Sequence, residues 1–219
     1  MKVNYFHQYE SNNYYHIYNH ACGDKNLFID HLDYLDFMAK FQKYFSYVFD
    51  IYAYCLMPNH FHFLVKVKVE DNIKGKIIKE PDSVAKENYL SGSSELNAFI
   101  EDQYRRFFSA YSIKYNKKHK TSGQLFLNRH KRIILNPEYR LKYMLCYIHH
   151  NPIHHKFRRK YGEWTYCSYQ EYLASNENYI SKLNDFGGLD YFLKIHESFQ
   201  IDKSNEIINI DINQDLYSL

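Results

Sequence analysis

Two histidines one residue apart, His60 and His62 in the stretch MPNHFHFLVKV (57–67), are the side chains of this sequence best spaced to hold an ion. In an extended strand alternate side chains point to opposite faces. The two imidazoles then share one face, about 7 Å apart, while Phe61, Phe63, Val65 and Val67 take the other. Imidazole is the commonest metal ligand among side chains. The same spacing also suits two structurally satisfied histidines, so the pair needs partners before it means chemistry. Those partners stand in the segment NPEYRLKYMLCYIHHNP (136–152). There Arg140, Tyr143, Tyr147 and Asn151 recur at spacings of three or four, one stripe of a helix, and Leu141, Leu145 and Ile148 form another. A helix carrying a phenol and a carboxamide against a strand carrying two imidazoles assembles two nitrogens, one oxygen and a nucleophile. Such a set leaves coordination positions open for phosphate oxygens, where a divalent ion polarises the phosphorus. A phenol with an ordinary pKa near 10 needs that ion, or neighbouring Lys and Arg, to attack at neutral pH. Tyr143 is a rival nucleophile, one turn before Tyr147 on the same stripe.

Positioning these groups takes a sheet and the helices that cover it. Residues 13–22 alternate apolar and polar until Gly23 and Asp24, the period-two pattern of a strand. Residues 28–48 bring Leu32, Leu35, Met38/Ala39, Phe41/Gln42 and Phe45 at three-to-four spacing behind Asp30 as N-cap, which predicts an amphipathic helix. Residues 49–56 alternate again, Pro58 and Asn59 make a turn, and 60–69 form the other arm of a hairpin. Residues 70–94 contain Pro81 and Ser91-Gly92-Ser93-Ser94 with little apolar period, and are expected to be a loop excursion. A long helix over 95–119 ends at Ser122 and Gly123 and leads to a fourth strand over 125–135.

The order strand, helix, strand, strand, helix, strand predicts an α+β fold of the ferredoxin-like β-α-β-β-α-β kind. In that arrangement the first and third strands are central and both helices cover one face, which leaves His60 and His62 on the other. The helix over 136–150, with Asn136 as N-cap and Pro137 at its first position, is what docks there. Pro152 disfavours helical geometry at Asn151 and so places that side chain at a fraying end. Residues 164–173 and 189–199 are expected as short packing helices and 201–219 as an acidic peripheral tail. The main domain is thus 1–173, with an appended helix and tail over 174–219.

Composition sets bounds on partners. With 219 residues the chain suffices for one sizeable core. A net charge of +3 projects no strong overall field, so any polyanion site must come from local clustering. Aromatics make up 19%, with 24 Tyr and 16 Phe, more than a core requires and enough to offer stacking faces. Cys22, Cys55, Cys146 and Cys167 are isolated, and the start of the sequence has no secretory pattern, which fits free thiols in a cytoplasmic protein. No stretch approaches the roughly 20 apolar residues of a membrane span, so no membrane partner is expected.

In MPNHFHFLV around His60 and His62, and YIHHNP around Tyr147 and Asn151, the sequence resembles the HUH single-tyrosine transposases, within them the REP-associated tyrosine transposases. YYHIYNHACGDKNLF, SGQLFLNRHKR and WTYCSYQEYL add to the likeness in the same order, over roughly 13–173. The resemblance implies a ferredoxin-like sheet and a transposase that cleaves and rejoins single-stranded DNA through a 5′-phosphotyrosine. His60 and His62 would hold Mg²⁺ or Mn²⁺, Asn151 would complete the metal shell and Tyr147 would be the nucleophile. The implied partner is single-stranded DNA with hairpin ends, lying against Arg129, Lys131 and Arg132 of the fourth strand and Arg158, Arg159 and Lys160 beyond the helix. A homodimer is an assembly the sequence leaves open. A competing reading is a non-catalytic hairpin-binding module with a structural His pair. A phosphoesterase with two His-x-Thr/Ser motifs is disfavoured, because Phe63 and Leu64 follow His62 and no second motif appears.

Overall fold

A computed structural model describes residues 4–78, 83–127, 129–135, 138–174 and 177–201 of the chain. The expected cap at Asn136 and Pro137, Pro81 of the expected excursion, and the tail beyond 201 lie outside the described residues. The first strand, β1 (Tyr14–His20), is followed by α1 (His31–Phe45) and the hairpin β2 (Phe49–Met57) and β3 (His60–Val67). Three helices follow, α2 (Glu70–Ile77), α3 (Val84–Leu90) and the long α4 (Leu96–His119), before β4 (Lys131–Ile134) and α5 (Glu138–His154). Three short helices close the described chain: α6 (Tyr169–Leu173), α7 (Glu177–Asp185) and α8 (Gly188–Glu197). The strands form one antiparallel sheet in the order β2-β3-β1-β4, so β1 and β3 are central as expected.

One face of the sheet meets α1 and α4 through aromatic rings. Phe63 of β3 stacks on Phe41 of α1 at 4.0 Å between ring centroids, and Phe61 lies 5.2 Å from Phe37. Phe107 of α4 completes the layer against Phe37, Phe41 and Phe45. Helix α1 starts where its chemistry dictates: Asp30 accepts from the Leu32 and Asp33 backbone N–H groups, and Asp33 accepts in return from that of Asp30, a reciprocal cap. Its buried stripe is Tyr34, Phe37, Phe41 and Phe45. The expected Leu32 and Leu35 are instead 62% and 51% exposed, because the four aromatic rings at 34, 37, 41 and 45 bury more area than the leucine row would.

Five expectations are corrected. The described residues of 70–94 are not mainly loop: α2 and α3 occupy most of them, anchored by buried Ile73, Ile77 and Tyr89, whose ring stacks on Phe99 at 4.9 Å. Each helix buries only two side chains, too few for a period to show in sequence. The fourth strand is confined to Lys131–Ile134, although Phe126 still bridges Ala21 beyond β1 in a shifted register. Residues 164–168 are not helical but form turns around an isolated bridge of Cys167 with Cys55, and the helix begins only at Tyr169. They pair with β2 through Leu56 N–H to Tyr166 C=O and Ser168 N–H to Tyr54 C=O, and satisfy backbone groups of that edge. Finally, α5 does not fray at Asn151 but runs through Pro152 to His154. The i→i−4 bonding carries on with His155 N–H on Asn151 C=O, and the helix end is closed by Arg158 N–H on Pro152 C=O past Lys156, whose φ is +60°. Arg132, expected at a nucleic-acid surface, is instead buried. Among the described residues no helix is long and apolar enough to cross a membrane, and all four cysteines are free thiols.

Candidate catalytic site

The sheet face opposite α1 and α4 is lined by histidine. Cross-strand pairing sets His60 of β3 beside His20 of β1, and His62 beside Tyr18. Tyr18 in turn pairs with Lys131 of β4, whose ammonium lies 5.5 Å from the Tyr18 ring. His16, diagonal to His62, brings its Nε2 to 2.9 Å from His62 Nδ1. The rings of His20 and His60 stack at 4.8 Å, and those of His60 and His62 stand edge to face at 5.1 Å. The turn residue Asn59 places its Oδ1 2.7 Å from His60 Nδ1. That contact sets the His60 proton on Nδ1 and leaves the lone pair on Nε2.

Helix α5 lies over this face and lines its polar stripe up with β3. The Tyr147 ring meets His62 edge-on at 5.9 Å and His16 at 6.2 Å. Two turns on, the His155 ring sits 5.0 Å from His60. Asn151, midway between those residues on the same stripe, therefore falls over the interval between the two imidazoles. Its Nδ2 donates to Tyr147 C=O at 3.0 Å, whereas its Oδ1 is buried and accepts no hydrogen bond from the described residues. The continuation of α5 through Pro152 is what holds Asn151 and His155 in this row. Tyr143 takes a different neighbour, its ring lying 5.2 Å from Phe199.

The whole set is enclosed: His60 is 2% exposed, and His62, Tyr147 and Asn151 are 1% each. Burial holds His62 well below the usual histidine range, reinforced by repulsion from His60, His16, His20 and His155 were they charged. His16 is likewise lowered by burial, from 6.5 to about 3. Both imidazoles are thus neutral at pH 7, the form that offers a nitrogen lone pair. A buried carboxamide oxygen with no hydrogen-bond partner among the described residues, close to the imidazoles of His60 and His62, suits a divalent cation as donor chemistry, and these three residues would hold it.

A second group with converging donors, Asp30, Asp33 and His119, lies between α1 and the end of α4. Its cation is already supplied by the chain, since Lys118 Nζ is 2.6 Å from Asp30 and 2.7 Å from Asp33. That group clamps the two helices together.

The six basic residues expected at a nucleic-acid surface divide sharply. Arg132 is buried, ion-paired to Glu101 at 2.6 Å and hydrogen-bonded to Asn97 Oδ1 and His7 C=O. It is a structural residue of the sheet and not a surface contact, because period two turns it to the helix-covered face beside Ile17 while Lys131 turns to the histidine face. Arg129, Arg158, Arg159 and Lys160 are exposed, and Lys131 is partly so. The Arg129 guanidinium lies over Phe6 at 4.3 Å, and that of Arg158 over Trp164 at 5.0 Å.

Sequence reading passed over His16, His20, Asn59 and His155. For His16 and His20 the signal was present, since the period of two that pairs His60 with His62 also puts His16, Tyr18 and His20 on one face of 13–22. His155 lies at the same spacing from Asn151 as Asn151 from Tyr147, but the expected break at Pro152 hid it.

Comparison with models of known protein families gives no match, and no curated protein matches the chain. A solved structure of a REP-associated tyrosine transposase bound to a REP hairpin does match, with a TM-score of 0.52 and 14% identity over 79% of this chain and 86% of that one. At that identity the likeness is one of fold: this chain is folded like that transposase.

Proposed function

We propose that the chain is a metal-dependent transposase and endonuclease that binds hairpin-forming single-stranded DNA, with Tyr147 as nucleophile and His60, His62 and Asn151 as metal ligands. The observation that carries this reading is the row Tyr147, Asn151, His155 laid along His62 and His60, with the Asn151 oxygen buried and unsatisfied by the described residues. The strand order β2-β3-β1-β4, with α1 and α4 on one face, supports the finer reading of the sheet as ferredoxin-like. The fold shared with a transposase bound to a REP hairpin supports nucleic-acid processing.

Mg²⁺ or Mn²⁺ at the site supplies a Lewis acid for a phosphate oxygen. The chain does the rest. Tyr147 Oη gives up its proton to solvent and forms a bond to phosphorus, the bond from phosphorus to the 3′ oxygen breaks, and that oxygen takes a proton from solvent, so the products are a 5′-phosphotyrosine and a 3′-hydroxyl. Attack of a 3′-hydroxyl on the same phosphorus reverses the step and joins the strand. Tyr147 is 1% exposed on α5 against the sheet, so this reading requires that the substrate phosphate gain access to it on binding.

Incubating the full chain with a labelled single-stranded hairpin and Mn²⁺ tests the reading. A covalent protein–DNA adduct is expected, lost in Tyr147→Phe with hairpin binding kept, and lost on chelation. An adduct that survives Tyr147→Phe and maps to Tyr143 overturns the assignment of the nucleophile. Binding without adduct across a panel of hairpins overturns the enzyme in favour of a binding module.

A further inference from the structure

The residue that fixes the ligand pose of His62 stands on the neighbouring strand. His16 Nε2 lies 2.9 Å from His62 Nδ1, with the rings 5.2 Å apart and within 14° of parallel, and both side chains are buried. The contact commits one nitrogen of His62, so a lone pair for an ion must come from Nε2. For Nε2 to be bare, the proton of His62 must sit on Nδ1, and His16 Nε2 must accept it. We infer that His16 is the positioning residue of the site, holding His62 in the tautomer and ring orientation that ligation requires. This rests on the reading of His62 as a ligand.

Two observations separate this role from ordinary packing. The first is that His16 is a poor choice for stability. Its cross-strand partners are Leu64 and Ile133, both buried and apolar, so an aliphatic or aromatic side chain would suit the position. Instead His16 brings a second nitrogen, Nδ1, which is buried and has no hydrogen-bond partner among the described residues. When Nε2 accepts from His62, that Nδ1 carries the proton, and a buried donor left unmade is unfavourable. The second is that the arrangement occurs twice. His60 has the same kind of outer partner at its own Nδ1, the Asn59 oxygen at 2.7 Å. Two candidate ligands, each with Nδ1 engaged by a buried or turn-held partner, form a matched outer layer. Ligating histidines ordinarily have such partners, and losing one typically lowers metal affinity 10- to 100-fold.

The test is Mn²⁺ binding to the full chain, followed by the electron paramagnetic resonance of the free ion, beside thermal unfolding without metal. His16→Phe keeps a ring for the contacts with Tyr18 and Tyr147 and removes only the acceptor. It is expected to weaken Mn²⁺ binding about 10- to 100-fold while the melting temperature stays or rises. His16→Gln, whose Oε1 can stand where Nε2 does, should restore most of the affinity. Unchanged Mn²⁺ affinity in His16→Phe, with affinity lost in His62→Ala, overturns the role of His16 and leaves the ligand reading standing. Unchanged affinity in His62→Ala overturns both. A melting temperature that falls in His16→Phe, with no rescue of affinity by His16→Gln, makes His16 a packing residue and also overturns the inference.

Discussion

The two faces of the central strands are equally buried and chemically opposite. Toward α1 and α4, β3 sends Phe61, Phe63, Val65 and Val67, none more than 1% exposed, into a layer of stacked rings. Toward α5 the same strand sends His60 and His62, also under 3% exposed, into a layer of imidazoles joined by hydrogen bonds, with one carboxamide oxygen left over. Burial of the first kind stabilises, at roughly 25 cal/mol per Å² of apolar surface. Burial of the second kind gains little, because each hydrogen bond formed replaces one with water and each unmet group is a cost. A strand whose two faces are dry for different reasons therefore separates what folds the protein from what the proposed site would use.

The largest effect that would sharpen this contrast comes from truncating one residue on each face. Phe63→Ala removes a ring stacked at 4.0 Å on Phe41 and leaves a cavity in the aromatic layer, for an expected loss of about 3–5 kcal/mol in denaturant unfolding. The double variant His16→Phe, His62→Leu removes both partners of a buried polar contact and should change stability by about 1 kcal/mol or less. Comparable losses on the two faces would break the comparison and make the histidine layer structural.

The aromatic face was the legible one. Alternation in 60–67 assigned its two sides, and Asp30 marked the start of α1 where the reciprocal cap now stands. What could not be read were elements that owe their form to tertiary contacts. Helices α2 and α3 each bury two side chains, and 164–168 forms turns bridged to β2 instead of helix because its backbone bonds to that edge. Pro152 was overweighted: it forgoes one helical hydrogen bond, which the packing of α5 on the sheet tolerates. Arg132 was misread for a different reason. A run of basic residues reads in sequence as one surface, although a strand must send neighbouring side chains to opposite faces.

A second contrast involves another buried histidine pair. Ser168 Oγ donates to His149 Nε2, His149 Nδ1 donates to His196 Nε2, and His196 Nδ1 donates to Phe192 C=O, at 2.9, 2.9 and 2.7 Å. This chain ties α5 to α8 and to the segment on β2, with Tyr161, Tyr169 and His150 around it. Burial lowers His196 from 6.5 to about 4. With the folded value below the unfolded one, the unfolded chain binds the extra proton between those pH values. Stability is then full above about 6.5 and declines as pH falls toward 4, by about 3 kcal/mol for His196 alone. Urea unfolding at a series of pH values, in wild type and in His196→Phe, measures that share. A slope unchanged by the substitution would mean the pair is not held neutral by burial.

The smallest effect concerns the outside of the molecule, where the proposed nucleic-acid partner would meet charge one residue at a time. Arg129, Lys131, Arg158, Arg159 and Lys160 retain solvent-facing charge, whereas Arg132 is 1% exposed and ion-paired to Glu101. Each residue that neutralises a phosphate releases counterions, so removing one should flatten the plot of log affinity against log salt by about 0.7–0.9. Arg158→Ala is the cleanest probe: its side chain lies over Trp164 and, among the described residues, bonds to the Phe157 and Glu163 carbonyls, so the fold should tolerate its loss. Arg132→Met, similar in length but uncharged, should lower stability through the stranded Glu101 and leave the salt slope of hairpin binding as it was. A slope that moves with Arg132→Met and not with Arg158→Ala would put the nucleic acid on the helix-covered side of the sheet, against the division of faces on which the assignment of the site depends.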